Sequence, residues 1–286
     1  MHPTPNPTHP YHSREIALLT QHGKEAILAA VLDPALACRV RRVGGFDTDR
    51  LGSFTRDIPR AGSQLDAARR KALIGMEIAG LPLGLGSEGA FGADPYLGAA
   101  PWNTELVVLV DDLHGIEVVG MAQGPTRFAH CLTGDWEEAR RFAEAAGFPD
   151  HHLVVRPAHP DDPRIVKGLD NWPTLERAFE CARAQSENAL VCLEHDLRAH
   201  AHPTRREAIR QAAQDLRAKL LSLCPDCGAP GDWLVERLPG LPCADCAAPT
   251  REARAEVWAC PRCRHRETRP LPALWADPAV CDVCNP

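Results

Sequence analysis

The chain has 286 residues, a formal net charge of -6, and 44% hydrophobic against 24% charged residues, which predicts two domains able to bury a core unaided. The acidic balance gives no reason to expect general binding to nucleic acid or to a membrane surface. No run of eighteen apolar residues is present, which excludes a helical membrane span.

The opening MHPTPNPTHPYHS, residues 1–13, lacks the apolar core of a signal peptide. It reads as a disordered leader, with His2, His9 and His12 as tail residues rather than ligands. From residue 14 to about 200 strands and helices alternate. REIALLT reads as a strand, GKEAILAAVLDP as a helix with Ile27, Ala30 and Val31 on one face and a stop at Pro34, and CRVRRV as a second strand. SQLDAARRKALIGMEIAG is a helix capped by Ser63 with Asp66 three residues on. Leu65, Ala68, Ala72, Met76 and Ala79 form its buried stripe, and Gly80 ends it.

LPLGLGS then reads as a buried strand that delivers Glu88, flanked by Gly86, Gly89 and Gly92, to a strand exit. Open α/β sheets bind ligands at such exits, and glycine lets a ligand or another backbone come close. The alternative is a turn whose Glu88 faces water. TELVVLVDDLHGIEVVGMAQG is a hairpin around DDLHG; GDWEEARRFAEAAG and WPTLERAFECARAQ are helices, and HHLVVRP and ALVCLEHD strands. PTRREAIRQAAQDLRAKLLSL is a further helix, with Thr204 and Glu207 as its capping box. The fold class is therefore α/β: a mixed-sheet domain over 14–200, a connecting helix over 201–222 and a small zinc-ribbon domain over 223–286.

Eight of the twelve cysteines form four CxxC pairs: Cys224/Cys227, Cys243/Cys246, Cys260/Cys263 and Cys281/Cys284. Two such pairs supply the four thiolates of a tetrahedral zinc site, so two structural zinc ions are expected. With spacers of 15, 13 and 17 residues, each long enough for a short hairpin, sequential ribbons are the first expectation. An interleaved cross-brace and a nested order are the other two arrangements. Cys38, Cys131, Cys181 and Cys192 stand singly in apolar surroundings and read as buried thiols. Reduced thiols and thiolate ligands together place the protein in the cytoplasm. Arg262, Arg264, His265, Arg266 and Arg269 offer a surface to a nucleic-acid or protein partner, although the tail's seven arginines face nine acidic residues.

Glu194 and Asp196 lie two apart at a strand end, a spacing that turns both to one face. With Glu88 they make an oxygen set suited to magnesium; alternatively they pair only with Arg198, Arg205 or Arg206. His195, His200 and His202 read as polar loop residues rather than ligands. Thr20, His22, Gly23 and Lys24 sit at a strand-to-helix junction where free N–H groups and a lysine favour an anion, and Lys167 with Gly168 forms a second basic turn.

Two resemblances follow. The order of TQHGKEAI, GSQLDAARRKA, GSEGAFG and WNTELVVLVDDLHGIEVVGMAQG resembles the N-terminal two thirds of the inosine/xanthosine triphosphatase type of nucleotide pyrophosphatase. That resemblance implies Lys24 and Lys71 near phosphates and Glu88 on magnesium, with Ala67 where an asparagine is expected. As a whole, through GSEGAFG, LEHDLRAHAHPTR, GLPCADCAAPT and CDVCNP, the chain is similar to an uncharacterised bacterial family with a zinc-binding C-terminal tail; His202 replaces an expected asparagine. The functional expectation is a magnesium-dependent phosphohydrolase acting on a nucleotide or related phosphorylated small molecule. Glu88, Glu194 and Asp196 would serve the metal, and Lys24, Lys71 and Arg198 would offset phosphate charge. The rival is a non-enzymatic zinc-ribbon adaptor for a protein or nucleic acid.

Overall fold

The computed structural model describes residues 9–48 and 62–286. They divide into two units: one holds the residues up to Asp111 with Val119–Arg217, the other Asp112–Val118 with Ala218–Pro286. Among the described residues no helix is long and apolar enough to cross a membrane.

In the first unit, β1 (Glu15–Leu19), α1 (Lys24–Leu36), β2 (Arg39–Val43), α2 (Gln64–Ala79), β3 (Leu83–Ala93), β4 (Pro101–Asp111) and β5 (Ile116–Pro125) build a mixed sheet of order β2-β1-β3-β4-β5. β1 pairs in parallel with both β2 and β3, and β3 pairs antiparallel with β4. Strand order therefore reverses at β1. Right-handed crossovers send the two connections over opposite faces there and open a crevice beyond the strand's carboxyl end.

α2 has the expected capping box of Ser63 and Asp66 and a left-handed Gly80. α1 does not stop at Pro34; it runs on to Leu36 because Ala35 and Leu36 are buried and hold the last turn in place. The segment around Glu88 is neither a turn nor a strand exit. Residues 83–93 are one continuous strand, and two of its glycines admit protein rather than ligand: a Cβ on Gly86 would lie 1.8 Å from the Ala68 carbonyl oxygen, and one on Gly89 2.3 Å from Glu105 Oε1, while Gly92 faces open space. Residues 84–89 spell GxGxxG, yet the pattern lies mid-strand with no helix opening after it, so it is not a dinucleotide loop.

A second, antiparallel sheet completes this unit. β6 (His130–Thr133), α3 (Trp136–Ala146), β7 (Leu153–Pro157), β8 (Val166–Leu169), α4 (Trp172–Gln185) and β9 (Val191–His195) give the strand order β6-β9-β7-β8. The helices pack Phe179, Leu175 and Ala143 on Leu153, Val155 and Leu193. The mixed sheet expected from sequence is present, and the second sheet adds β6 and β8, which at four residues each leave no periodic trace in the sequence.

α5 (Pro203–Leu221) starts one residue earlier than its expected cap. His202 Nδ1 accepts the Arg205 N–H at 3.1 Å and takes the capping role, so Thr204 falls inside the first turn and Glu207 pairs with Arg210. The leader is also corrected. His2 lies outside the described residues, but His9 and Tyr11 are buried, and the Tyr11 hydroxyl donates to Asp111 at 2.7 Å. Of the single cysteines only Cys192 is buried; Cys181 is exposed because Ala178, Phe179 and Ala182 take the inner face of α4.

The second unit is a three-stranded antiparallel sheet, β10 (Trp233–Pro239), β11 (Ala253–Ala259) and β12 (Arg266–Pro270), in that order. Its strands carry few buried apolar residues, chiefly Ala255 and Val257.

Candidate functional site

Two clusters of four cysteines stand in the second unit: Cys224, Cys227, Cys260 and Cys263, then Cys243, Cys246, Cys281 and Cys284. The pairing is interleaved, first with third and second with fourth, which corrects the sequential expectation. The first two spacers do not fold back as hairpins; each carries one strand across the sheet. In the antiparallel register Trp233 faces Ala259 and Ala255 faces Pro270. Successive CxxC turns therefore fall at alternate ends of the sheet, and turns two apart meet.

The geometry fits a metal. The Sγ–Sγ separations are 3.6 Å for Cys224–Cys263, 3.7 Å for Cys227–Cys260, 3.8 Å for Cys243–Cys284 and 3.6 Å for Cys246–Cys281. Sulfurs held about 2.3 Å from one tetrahedral zinc lie about 3.8 Å apart, whereas a disulfide needs about 2.05 Å. Each tetrad can hold one zinc ion, with no position left for substrate. The basic run nearby is largely spent on its own unit. Arg266 pairs with Glu236, His265 with Asp226, and Arg269 with Asp232 and Glu267 while stacking 4.2 Å over Trp258.

The first unit places a different chemistry at the carboxyl end of β1. Thr20 to Gly23 join β1 to α1, and Gly23, at φ 71°, is followed by a helix whose first N–H groups have no side-chain cap. Thr20, His22, Lys24, Lys71, Ser87 and Glu88 line the crevice. Lys24 is only 6% exposed; its Nζ donates to the Ser87 carbonyl at 3.0 Å and meets Ser87 Oγ at 3.2 Å. Lys71 closes on Glu88 at 2.7 Å, and Arg205 on Glu105 at 2.7 Å. Burial, then Arg205 and Lys71, push the Lys24 ammonium down to about 7, against the opposing pull of Glu105 and Glu88.

The three carboxylates proposed for magnesium do not gather. Glu88 is held by Lys71, Glu194 by Arg156 at 3.4 Å, and Asp196 by Arg198 at 2.5 Å and the Gly168 N–H at 3.2 Å. Among the described residues the only acidic, histidine or cysteine groups close enough to share an ion are the two cysteine tetrads. Arg198 is spent on Asp196, and Lys167 with Gly168 forms not a turn but part of β8, where the Gly168 N–H supports that carboxylate rather than a phosphate. Lys24, Lys71 and Glu88 do share one crevice.

Ser87, Glu105 and Arg205 were not found as site residues from the sequence. Asn103 and Glu105 stood in the inward register of β4 with Val107, a polar interruption of a period-two strand that marks a buried polar network. Ser87 carried no signal beyond its neighbour Glu88.

The family described as "Domain of unknown function (DUF6671)" matches residues 71–286, the greater part of the chain. No curated protein and no solved structure matches it.

Proposed function

The chain belongs to the DUF6671 family, and we propose that its α/β unit binds a nucleotide or related phosphorylated small molecule at the carboxyl end of β1, while two zinc ions hold the cysteine unit together. One observation carries the reading. Lys24 is a buried amine, pushed down to about 7, whose charged form lacks a counter-ion because the two nearby carboxylates are already committed, Glu88 to Lys71 and Glu105 to Arg205. An incoming phosphate supplies the missing counter-charge, and the first turn of α1, which has no side-chain cap, starts at Lys24 in the crevice lining. Glu88 serves here by fixing Lys71 rather than by holding magnesium.

Calorimetric titration of the purified chain with inorganic phosphate, pyrophosphate and a nucleotide panel tests this. Binding that weakens at least tenfold in Lys71→Met and Lys24→Met supports the reading. Equal affinity in both variants removes it. The adaptor reading rests on Arg262 and Arg264, the two arginines of the basic run that are exposed and in no ion pair among the described residues. Retention of a nucleic-acid or protein partner after replacing both, with metal content unchanged, sinks it.

A further inference from the structure

We infer that Ser87 is a nucleophile and Lys24 its general base, so that the crevice passes a phosphoryl group to the serine before releasing it to water. The inference rests on the phosphate reading of the same crevice and adds a reaction to it.

A serine hydroxyl attacks only when a neighbouring base takes its proton, and a lysine is a base only when it is neutral at the working pH. The groups facing Lys24 come from four elements: Lys71 on α2, Glu88 and Ser87 on β3, Glu105 on β4 and Arg205 on α5. His22 lies in the loop before it. Two of the three cations pair with the two carboxylates, so Lys24 is the odd one. Adding its charge costs both burial and repulsion from Lys71 and Arg205, which brings its titration near neutrality. A neutral amine there donates one N–H to the Ser87 carbonyl at 3.0 Å and keeps its lone pair for the hydroxyl 3.2 Å away. Oγ is thus within reach of the base before any substrate arrives. Ser87 itself is 3% exposed and sits on a strand, not a mobile loop.

The step balances without a further reactant. Oγ forms a bond to phosphorus while the bond from phosphorus to the leaving oxygen breaks, and the serine proton passes to Lys24 Nζ and on to the leaving oxygen. Water then attacks the phosphoserine, the P–Oγ bond breaks, and a water proton returns to Oγ through Lys24, leaving inorganic phosphate. Lys71 and the first N–H groups of α1 oppose the charge that develops on the equatorial oxygens. A phosphoserine route needs no divalent ion at Glu88, in keeping with that carboxylate's closure by Lys71.

Inorganic phosphate is its own probe, because a reversible phosphoserine exchanges phosphate oxygen with water. We expect the full-length chain to exchange ¹⁸O from labelled phosphate, at a rate that rises with pH as Lys24 loses its proton, the bound phosphate moving that rise above the value of about 7 in the free crevice. Acid quenching should trap one phosphoryl group on the peptide carrying Ser87. Ser87→Ala should abolish exchange with phosphate affinity kept, and Lys24→Arg should slow it about 10²- to 10⁴-fold, since arginine carries charge but is no base. Phosphate binding without exchange or trapped phosphoserine overturns the dyad and leaves the binding site standing. Exchange at the normal rate in Ser87→Ala overturns it too. Failure of the unaltered chain to bind phosphate at all removes the underlying reading with it. The acid-quench measurement needs no variant and so decides the matter even if Ser87→Ala is unstable.

Discussion

The α/β unit and the cysteine unit hold their sheets in opposite ways. In the first, Phe179, Leu175, Leu153, Val155, Val191 and Leu193 form a continuous apolar cluster under two helices. In the second, the buried cluster is Cys224, Ala229 and Cys260 with Cys227 against it. One sheet is stabilised by area removed from water, the other by atoms able to grip an ion. The most buried ion pair of one unit contrasts with the open pairs of the other. The α/β unit buries Arg205–Glu105 at 0% side-chain exposure on both sides, whereas the pairs of the cysteine unit, such as Arg266–Glu236, lie open to solvent. Burial makes the Arg205–Glu105 pair consequential, and exposure makes a pair such as Arg266–Glu236 replaceable.

Metal removal separates the two most strongly. A thiolate zinc site contributes on the order of 10 kcal/mol to a unit with so little core. A tight chelator, or Cys260→Ser for one site, should therefore expose residues 218–286 to proteolysis while the α/β unit stays resistant. Elemental analysis should read two zinc ions per chain before and one after the cysteine replacement. A cysteine unit that keeps its protection without metal would break the comparison. Next in size is the buried ion pair. Glu105→Gln leaves the Arg205 guanidinium buried beside a neutral amide, and denaturant unfolding should show a loss of about 3 to 5 kcal/mol. Replacing Arg266 in the cysteine unit should cost under about 1 kcal/mol by the same measurement. Between these two falls Gly86→Ala, whose added methyl meets the Ala68 carbonyl at 1.8 Å and must push α2 outward. A loss of about 1 to 3 kcal/mol is expected, and an unchanged midpoint would show that α2 does not pack where it is placed.

Sequence reading reached the local devices and missed the non-local ones. Ser63 with Asp66, the left-handed Gly80 and the β4–β5 hairpin are legible because the residues that make them are neighbours. The Cys224-to-Cys284 ligand set was legible as well, since CxxC spacing encodes half a site. Which half joins which was not, because the answer lies in a strand register rather than a spacer length. Arg205 and Glu105 are 100 residues apart, and no window contains both. The glycines around Glu88 misled for a related reason: their lack of Cβ signals close approach, but not whether helix α2 or a ligand approaches.

Acid acts on the α/β unit through its buried histidines. His202 is buried, its Nε2 bonded to the Arg127 carbonyl at 2.9 Å, and burial holds its imidazole down at about 3 from an ordinary 6.5. His151, packed edge-on against it, and His195, tilted beside it, are lowered in the same direction. Above about pH 6.5 the ring is neutral folded and unfolded, and the stability it lends is fully present. As pH falls from 6.5 toward 3 the unfolded chain takes a proton that the folded chain refuses, so stability drops over that window. His202→Asn keeps an acceptor for the Arg205 N–H, asparagine being a preferred cap, and removes the titration. Amide exchange at Arg205, corrected for intrinsic rates, reads the cap locally and is independent of any thiolate site protonating at low pH. Protection should fall between pH 6.5 and 4.5 in the unaltered chain and flatten in His202→Asn. An equally steep fall in the variant assigns the titration to His195 and His151 and takes His202 out of the account.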